Sequence, residues 1–505
     1  MRKHYIIAHD IGTTGNKATL YASTGELVGS TLYKYETLYP YTGWAEQNPL
    51  DWWEAVCYST RELLEKTNVP KEEVEAVSFS GQMLGCLLVD QVGEPLGNAI
   101  IWADMRAAEQ AEFLNREIGM ENVYRITGHR ISSSYSGAKI SWMKQHQPDV
   151  FKKAYKVLQA KDYLVYKLTG KFATDYSDAC GTNCFNLVSK AWSDDILAAW
   201  QIDKDLFPEL HASTDVIGGV TAAASQQTGL LEGTPVVIGA GDGVCAAAGV
   251  GVFNEGEAFN YIGSSSWVAT ASNKPIFDPD MKTYTWVHLD PTKYSPNGTM
   301  QCGGGSMQWV TRLLYQNLKD ESTMYEVMNA EAAQSLPTSR GLVYLPYLMG
   351  ERSPRWNPDA RGVFAGLSIT HTRGDMARSV MEGVAYNLKV ILDTFQNEGT
   401  PINHMWVLGG GAKSTLWRQI LADIYGLDIY VPPYLDEATS MGAAMAGAVG
   451  VGLLQDFNEA QAWVERKYVH QPELRAQNIY EQFFPLFNET YKQLQPVYEK
   501  LKVFN

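Results

Sequence analysis

Nine residues near the start of this chain return half a chain later. Ile-Gly-Thr-Thr-Gly-Asn-Lys-Ala-Thr at 11–19 aligns with Ile-Gly-Ser-Ser-Ser-Trp-Val-Ala-Thr at 262–270, an offset of 251 in 505 residues. Four positions are identical and two more exchange Thr for Ser. Each copy reads as strand, tight turn, strand, because a buried apolar run stops at Gly plus small hydroxyl residues before β character resumes. A unit that opens both halves of a chain predicts two related domains facing each other across a cleft. We place the boundary in the Gly- and Glu-containing stretch 251–257. That gives an N-terminal domain over 1–252, a C-terminal domain over 253–455 and a helical tail over 456–505.

The rest of the chain alternates between strand and helix patterns. Strand signals fall at 5–8, 74–80, 235–239 and 405–408, and helical periodicity at 52–66, 104–168, 378–395 and 416–425. This mixture predicts an α/β architecture with helices packed on sheets. In the tail, Tyr480, Phe483, Phe484, Phe487, Tyr491, Leu494 and Tyr498 recur near helical spacing. Pro485 and Pro496 are expected to divide it into shorter helices. The tail is expected to pack on the second domain, with a homodimer contact as the alternative.

Composition sets what the cleft can serve. Lys+Arg 41 against Asp+Glu 56 leaves −15, so neither nucleic acid nor an anionic membrane is an expected partner. The six cysteines form no Cys-x-x-Cys pair and no Cys/His cluster, and read as reduced, small buried residues. The N-terminus lacks the apolar core of a signal peptide, and the apolar run at 441–454 is too short to span a bilayer. A cytoplasmic location is expected.

Two hydroxyl-bearing turns in one cleft suit phosphate, since Gly followed by Thr or Ser exposes backbone N–H groups and hydroxyls together. The plain alternative is a pair of ordinary hairpin turns. Asp10, at the end of the strand before the first turn, is placed to hold Mg²⁺ directly or through water, and Lys17 to add positive charge. In Gly239-Ala-Gly-Asp-Gly243 a carboxylate stands between glycines after a buried strand, so substrate can approach Asp242 closely and lose a hydroxyl proton to it. Its plain alternative is an Asx turn or a helix cap. Gly409-Gly-Gly-Ala-Lys-Ser414 and Gly303-Gly-Gly-Ser306 are glycine-rich turns that admit a nucleotide or serve only as tight turns. No P-loop, no third-glycine Rossmann spacing and no Gly-x-Ser-x-Gly elbow is present.

Taken together, these segments resemble the FGGY carbohydrate kinases of the actin–hexokinase superfamily, from Tyr5 to about Leu453. The likeness rests on Asp10-Ile-Gly-Thr-Thr-Gly15, Gly81-Gln-Met-Leu-Gly85, Trp102-Ala-Asp-Met-Arg106 and Ser136-Gly-Ala-Lys-Ile-Ser-Trp142. It continues through Leu345-Pro-Tyr-Leu-Met-Gly-Glu-Arg-Ser-Pro354, Gly409-Gly-Gly-Ala-Lys-Ser414 and Glu437-Ala-Thr-Ser-Met-Gly-Ala-Ala444. The resemblance implies two actin/hexokinase-like (ribonuclease H-like) ATPase domains, with ATP and Mg²⁺ as cofactors and a small sugar as substrate. It makes Asp242 the general base and Asp10 the Mg²⁺ residue. Thr13, Thr14, Lys17, Ser264, Ser265 and Ser266 would meet the phosphates. Gly303, Gly410, Gly411 and Ala412 would line the adenosine side, and Met83, Leu84, Asp104 and Arg106 would face the sugar. Within the family the Gly-Gln-Met and Gly-Glu-Arg-x-Pro segments look most like xylulokinases, which implies D-xylulose. Two positions depart from that pattern: Leu84 replaces a His and Gly243 an Asn, removing two polar groups beside the sugar. Other ketoses, aldonates or polyols stay open as substrates. A sugar/ATP-binding protein without catalysis and a dinucleotide oxidoreductase using 239–243 are the rivals from other classes.

Overall fold

The computed structural model describes residues 4–318, 320–433 and 436–504. Its first half is built on a mixed seven-stranded sheet. In chain order its elements are β1 (Tyr5–Ile11), β2 (Gly15–Ala22), β3 (Leu27–Lys34), the helix α1 (Pro49–Thr67), β4 (Val74–Gly81), β5 (Val216–Gly219), β6 (Pro235–Val237) and β7 (Ala240–Gly241). β1 is buried on both faces except at Asp10, which explains its unbroken apolar run. The strand order is β5-β6-β4-β1-β2-β3, with β7 beside β4. β1 runs antiparallel to β2 and parallel to β4, so Asp10 pairs with Ser80. β7 also runs parallel to β4 and pairs Ala240 with Ser80, which brings Asp242 out at the same end of the sheet as Asp10.

The second half repeats this plan. After the short helix α2 (Asp242–Ala248) come β8 (Gly256–Ile262), β9 (Ser266–Thr270), β10 (Tyr284–Val287), β11 (Tyr294–Met300), α3 (Arg373–Asn397), β12 (Ile402–Leu408) and β13 (Asp428–Val431). Then follow α4 (Ala438–Gly450), β14 (Tyr468–His470) and α5 (Leu474–Leu501). The sheet order is β10-β11-β9-β8-β12-β13-β14. β8 is antiparallel to β9 and parallel to β12, as β1 is to β2 and β4. The nine-residue echo is therefore the visible part of a repeated topology, in which β3-β2-β1-β4-β6 answers to β11-β9-β8-β12-β13.

α2 and α4 pack against each other, and α4 lies on β1 and β4 of the first sheet. Small residues make this approach close, since a Cβ at Gly442 would overlap the Cys245 carbonyl and one at Gly249 the Ala438 carbonyl. The Gly/Ala-rich run at 441–454 is thus largely a buried inter-half helix. Among the described residues no helix is long and apolar enough to cross a membrane. All six cysteines are free and buried.

The tail departs from expectation. α5 is one helix of 28 residues that runs through both Pro485 and Pro496. Each proline removes an N–H that the helix would use. Tyr480, Phe487, Tyr491 and Tyr498 are nonetheless buried in the second half's core, and that apolar face outweighs the lost hydrogen bonds.

Candidate functional site

A cleft of about 560 Å³ opens between the halves. Asp10, Lys17, Met83, Leu84, Trp102 and Asp242 line it from the first half, and Ser265, Tyr284, Asn297, Thr299, Arg352 and Thr439 from the second.

The two carboxylates sit where parallel strands end. Asp10 accepts from the Ser80 hydroxyl at 3.0 Å and from Thr439, at the start of α4, at 2.7 Å. Asp242 opens α2 and accepts the Gly243 N–H at 2.7 Å. The preceding Gly241 leaves room for the Met83 side chain, which a Cβ there would displace. Behind Asp242 a buried chain fixes this backbone. Gly241 N–H donates to Ser177 Oγ (2.9 Å), whose hydroxyl donates to Asp175 (2.6 Å), and Asp175 pairs with Lys161 Nζ (2.8 Å). Burial pushes the Asp242 carboxyl up to about 7, and the charge of Asp10 adds to this. Burial also raises Asp10, opposed by Thr439, Ser80 and Lys17. Burial and mutual repulsion thus act on two carboxylates at one end of the cleft.

The two turns join antiparallel strands in the same place in each half and differ in length and contacts. In the first, Thr13 Oγ1 accepts the Trp102 indole N–H at 2.9 Å, and its carbonyl accepts from Gln47 at 2.7 Å. Thr14 is exposed. Neither threonine is among the cleft-lining residues, whereas Lys17 is, with Nζ donating to the Asp436 carbonyl at 2.6 Å. In the second turn Ser264 is exposed and Ser265 lines the cleft. Ser266 does not join them: it is fully buried, donates to the Tyr261 carbonyl at 2.6 Å and accepts from Asn260 at 3.0 Å. As the first residue of β9, its side chain falls on the inner face of the pleat.

The glycine-rich turns support this arrangement more than they line it. Gly303 N–H donates to the Ser264 carbonyl at 2.9 Å and Gly304 N–H to the Gly263 carbonyl at 2.7 Å, which clasps the second turn. Gly411 packs on Ile262 and Ala412 is buried. Gly410 alone is exposed, with open space where a Cβ would stand. Of Gly303, Gly410, Gly411 and Ala412, none is among the residues lining the main cleft.

On the acceptor side, Asp104 and Arg106 sit away from the cleft lining, unlike Met83 and Leu84. Asp104 is fully buried, and its carboxylate accepts from Ala45 N–H (2.6 Å) and from Arg106. The Arg106 guanidinium pairs with Glu46 at 2.7 Å and lies 3.6 Å over the Trp44 ring. Both charges are thereby compensated inside the first half, and neither lines the cleft. They anchor the loop that presents Trp102, a cleft residue that lies two positions before Asp104 in the same segment. Met83 and Leu84 do line the cleft. Leu84 adopts φ 66°, and its carbonyl accepts from the buried Lys139 Nζ at 2.9 Å, which also reaches the Ile101 carbonyl at 2.7 Å. One lysine thus ties together the two loops that carry Met83, Leu84 and Trp102. Beside Asp242, the Cβ position of Gly243 faces open space.

Several cleft residues escaped sequence reasoning. Arg352 lies in the Gly-Glu-Arg-Ser-Pro segment, a signal that was available. Thr439 likewise lies in the Glu437–Ala444 segment, whereas Tyr284, Asn297 and Thr299 have no such signal, since topology alone brings them to the cleft.

Comparison with known proteins agrees with this geometry. Residues 5–249 match the FGGY family of carbohydrate kinases, N-terminal domain, and residues 258–451 its C-terminal domain. A xylulose kinase of Bacillus subtilis is 31% identical over 504 residues, covering 99% of each chain. Among solved structures, a gluconate kinase from Lactobacillus acidophilus superposes with TM-score 0.93 at 29% identity, over 99% of this chain and 100% of that one. A xylulose kinase from the same organism superposes at 0.92 with the same identity and coverage. With both halves matched and the relatives aligned end to end, the chain belongs to the FGGY family of carbohydrate kinases, phosphotransferases with an alcohol acceptor that use ATP and Mg²⁺.

Proposed function

We propose that the enzyme transfers the γ-phosphate of ATP to a terminal hydroxyl of a ketopentose, with D-xylulose giving D-xylulose 5-phosphate. The observation that carries this reading is Asp242, a cleft carboxylate raised to about 7 at a strand end beside Asp10. Asp242 takes the proton of the acceptor hydroxyl, whose oxygen attacks the γ-phosphorus in line. A carboxylate of that basicity suits a loose transition state that asks mainly for positioning. Asp10 is the residue that would hold Mg²⁺, which would supply countercharge to the phosphates; a buried carboxylate beside a second one at Asp242 fits that ion. Thr13, Thr14, Lys17 and Ser265 meet the phosphates with neutral donors and one cation, and the open backbone at Gly410 lies on the nucleoside side. Met83, Leu84 and Trp102 form the acceptor wall.

One observation favours a second reading, an aldonate such as gluconate. Arg352 is exposed in the cleft, and among the described residues its guanidinium has no carboxylate in ion-pairing range. It would match an acid group on the acceptor. Coupled ADP release across D- and L-xylulose, D- and L-ribulose, L-fuculose, gluconate, glycerol and erythritol separates the two. A kcat/KM for D-xylulose at least about tenfold, or ≈ 1.4 kcal/mol, above all others supports the ketopentose reading. A preference for gluconate that disappears in Arg352→Met establishes the second.

A further inference from the structure

We propose that Trp102 is a positioning residue: its indole N–H orients the Thr13 hydroxyl toward the transferring phosphate and so makes ATP turnover depend on an occupied acceptor side. This rests on the reading of Thr13 as a phosphate contact and of Trp102 as part of the acceptor wall. Trp102 is 43% exposed and lines the cleft, while its backbone is held from behind. Ile101 donates to the Ala45 carbonyl at 3.1 Å, accepts from Lys139 at 2.7 Å, and is followed by the Asp104–Arg106 anchor.

An indole nitrogen only donates, so in the 2.9 Å contact Thr13 Oγ1 is the acceptor. Its single hydrogen is then left to donate, and among the described residues nothing takes it. The Thr13 carbonyl is held separately by Gln47 at 2.7 Å and Thr37 at 3.3 Å. The turn is therefore fixed, and the remaining freedom is the hydroxyl rotor, which the indole sets. A sugar stacked on the half-exposed ring immobilises the indole and with it the rotor. With the acceptor side empty, the 2.9 Å bond to Thr13 is the only side-chain hydrogen bond that holds the indole among the described residues, and the phosphate loses one aligned donor whenever it breaks.

The test compares Trp102→Phe, Thr13→Val, Thr13→Ser and the Phe/Val double variant with wild type. It uses the acceptor with the highest turnover in the panel above. The readouts are kcat, KM for acceptor and ATP, and ADP release without acceptor. Trp102→Phe keeps an aromatic face and loses the N–H. It should lower kcat on the order of tenfold, leave acceptor KM within about threefold, and raise the share of acceptor-independent ADP release. Thr13→Val should do the same, the double variant should be no worse than the more impaired single one, and Thr13→Ser, which keeps the hydroxyl, should recover most of the kcat and coupling that Thr13→Val loses. A Trp102→Phe enzyme with wild-type kcat and coupling, beside an impaired Thr13→Val, overturns the proposal while leaving the phosphate contact standing. Multiplying effects in the double variant overturn it as well. Unchanged ATP kinetics and kcat in Thr13→Val remove the underlying reading of Thr13 itself.

Discussion

The two hydroxyl turns are related hairpins, closing over residues 12–15 in the first half and over 263–265 in the second, put to different use. Ile11 pairs with Asn16 across the first and Ile262 with Ser266 across the second, each beside a parallel strand. Where the first half carries Asp10, the second carries Tyr261; where the first carries Lys17, the second carries Val268. Tyr261 stacks on Trp267 at 4.2 Å, so the second turn is backed by aromatic rings rather than charge. The repeat supplies a backbone cradle twice, while the titratable groups Asp10, Lys17 and Asp242 all come from the first half. A duplicated fold need not duplicate chemistry. One half can hold the carboxylates that act, and the other hydroxyls, walls and the guanidinium of Arg352.

If that division is right, the largest losses come from the first half. Replacing Asp242 by Asn or Ala should cut kcat by about 10³-fold or more while Mg·ATP still binds, as measured by turnover and calorimetry. Asp10→Asn should cost about 10²-fold and raise the Mg²⁺ concentration needed for half-maximal rate. In the second half, Ser265→Ala should mainly raise the KM for ATP, by on the order of tenfold. Ser266→Ala should leave kinetics alone and cost about 1 kcal/mol of stability in denaturant titration, because its hydroxyl serves the sheet. A catalytic defect in Ser266→Ala equal to that of Ser265→Ala would break the comparison.

A pH series sharpens it. Asp242 works deprotonated, so kcat/KM should rise as pH increases through about 7. Removing the Asp10 charge should move that midpoint down. Stability runs the other way. The folded carboxyl titrates above its ordinary range, so its ionised form penalises the fold at neutral and higher pH, and that penalty fades as pH falls towards 4. Asp242→Asn should therefore raise Tm at pH 8 and leave it nearly unchanged at pH 4. The smallest expected effect is on specificity. Leu84→His and Gly243→Asn add polar groups to the acceptor wall and should shift the kcat/KM ratio between D-xylulose and gluconate by about tenfold.

Much of this was legible in the sequence because the repeat marks its own turns, and because a carboxylate between glycines after a buried strand has few structural uses. The two-half α/β plan and the placing of Asp10, Lys17 and Asp242 at one cleft followed from such local signals, while Met83, Leu84 and Ser265 were legible only through the family resemblance. What stayed hidden was direction. A hydroxyl or a charge in a short motif does not reveal which way it faces. Ser266 turns into the sheet because the pleat reverses one residue after Ser265, and Asp104 and Arg106 turn inward because Glu46, Ala45 and Trp44 compensate them from a distant segment. The second-half wall of Tyr284, Asn297 and Thr299 is set by strand order. The prolines of α5 misled for a related reason, since their local cost is outweighed by a buried aromatic face that sequence alone cannot price.

The central claim is that a first-half carboxylate activates the acceptor in a cleft that both halves build. The most direct measurement is acceptor-dependent ADP release by wild type and Asp242→Asn, with Mg·ATP affinity measured on the same preparations. The account predicts at least about 10³-fold slower release by the variant, with ATP affinity within about threefold of wild type. An Asp242→Asn enzyme that turns over the acceptor at a rate near wild type would contradict it.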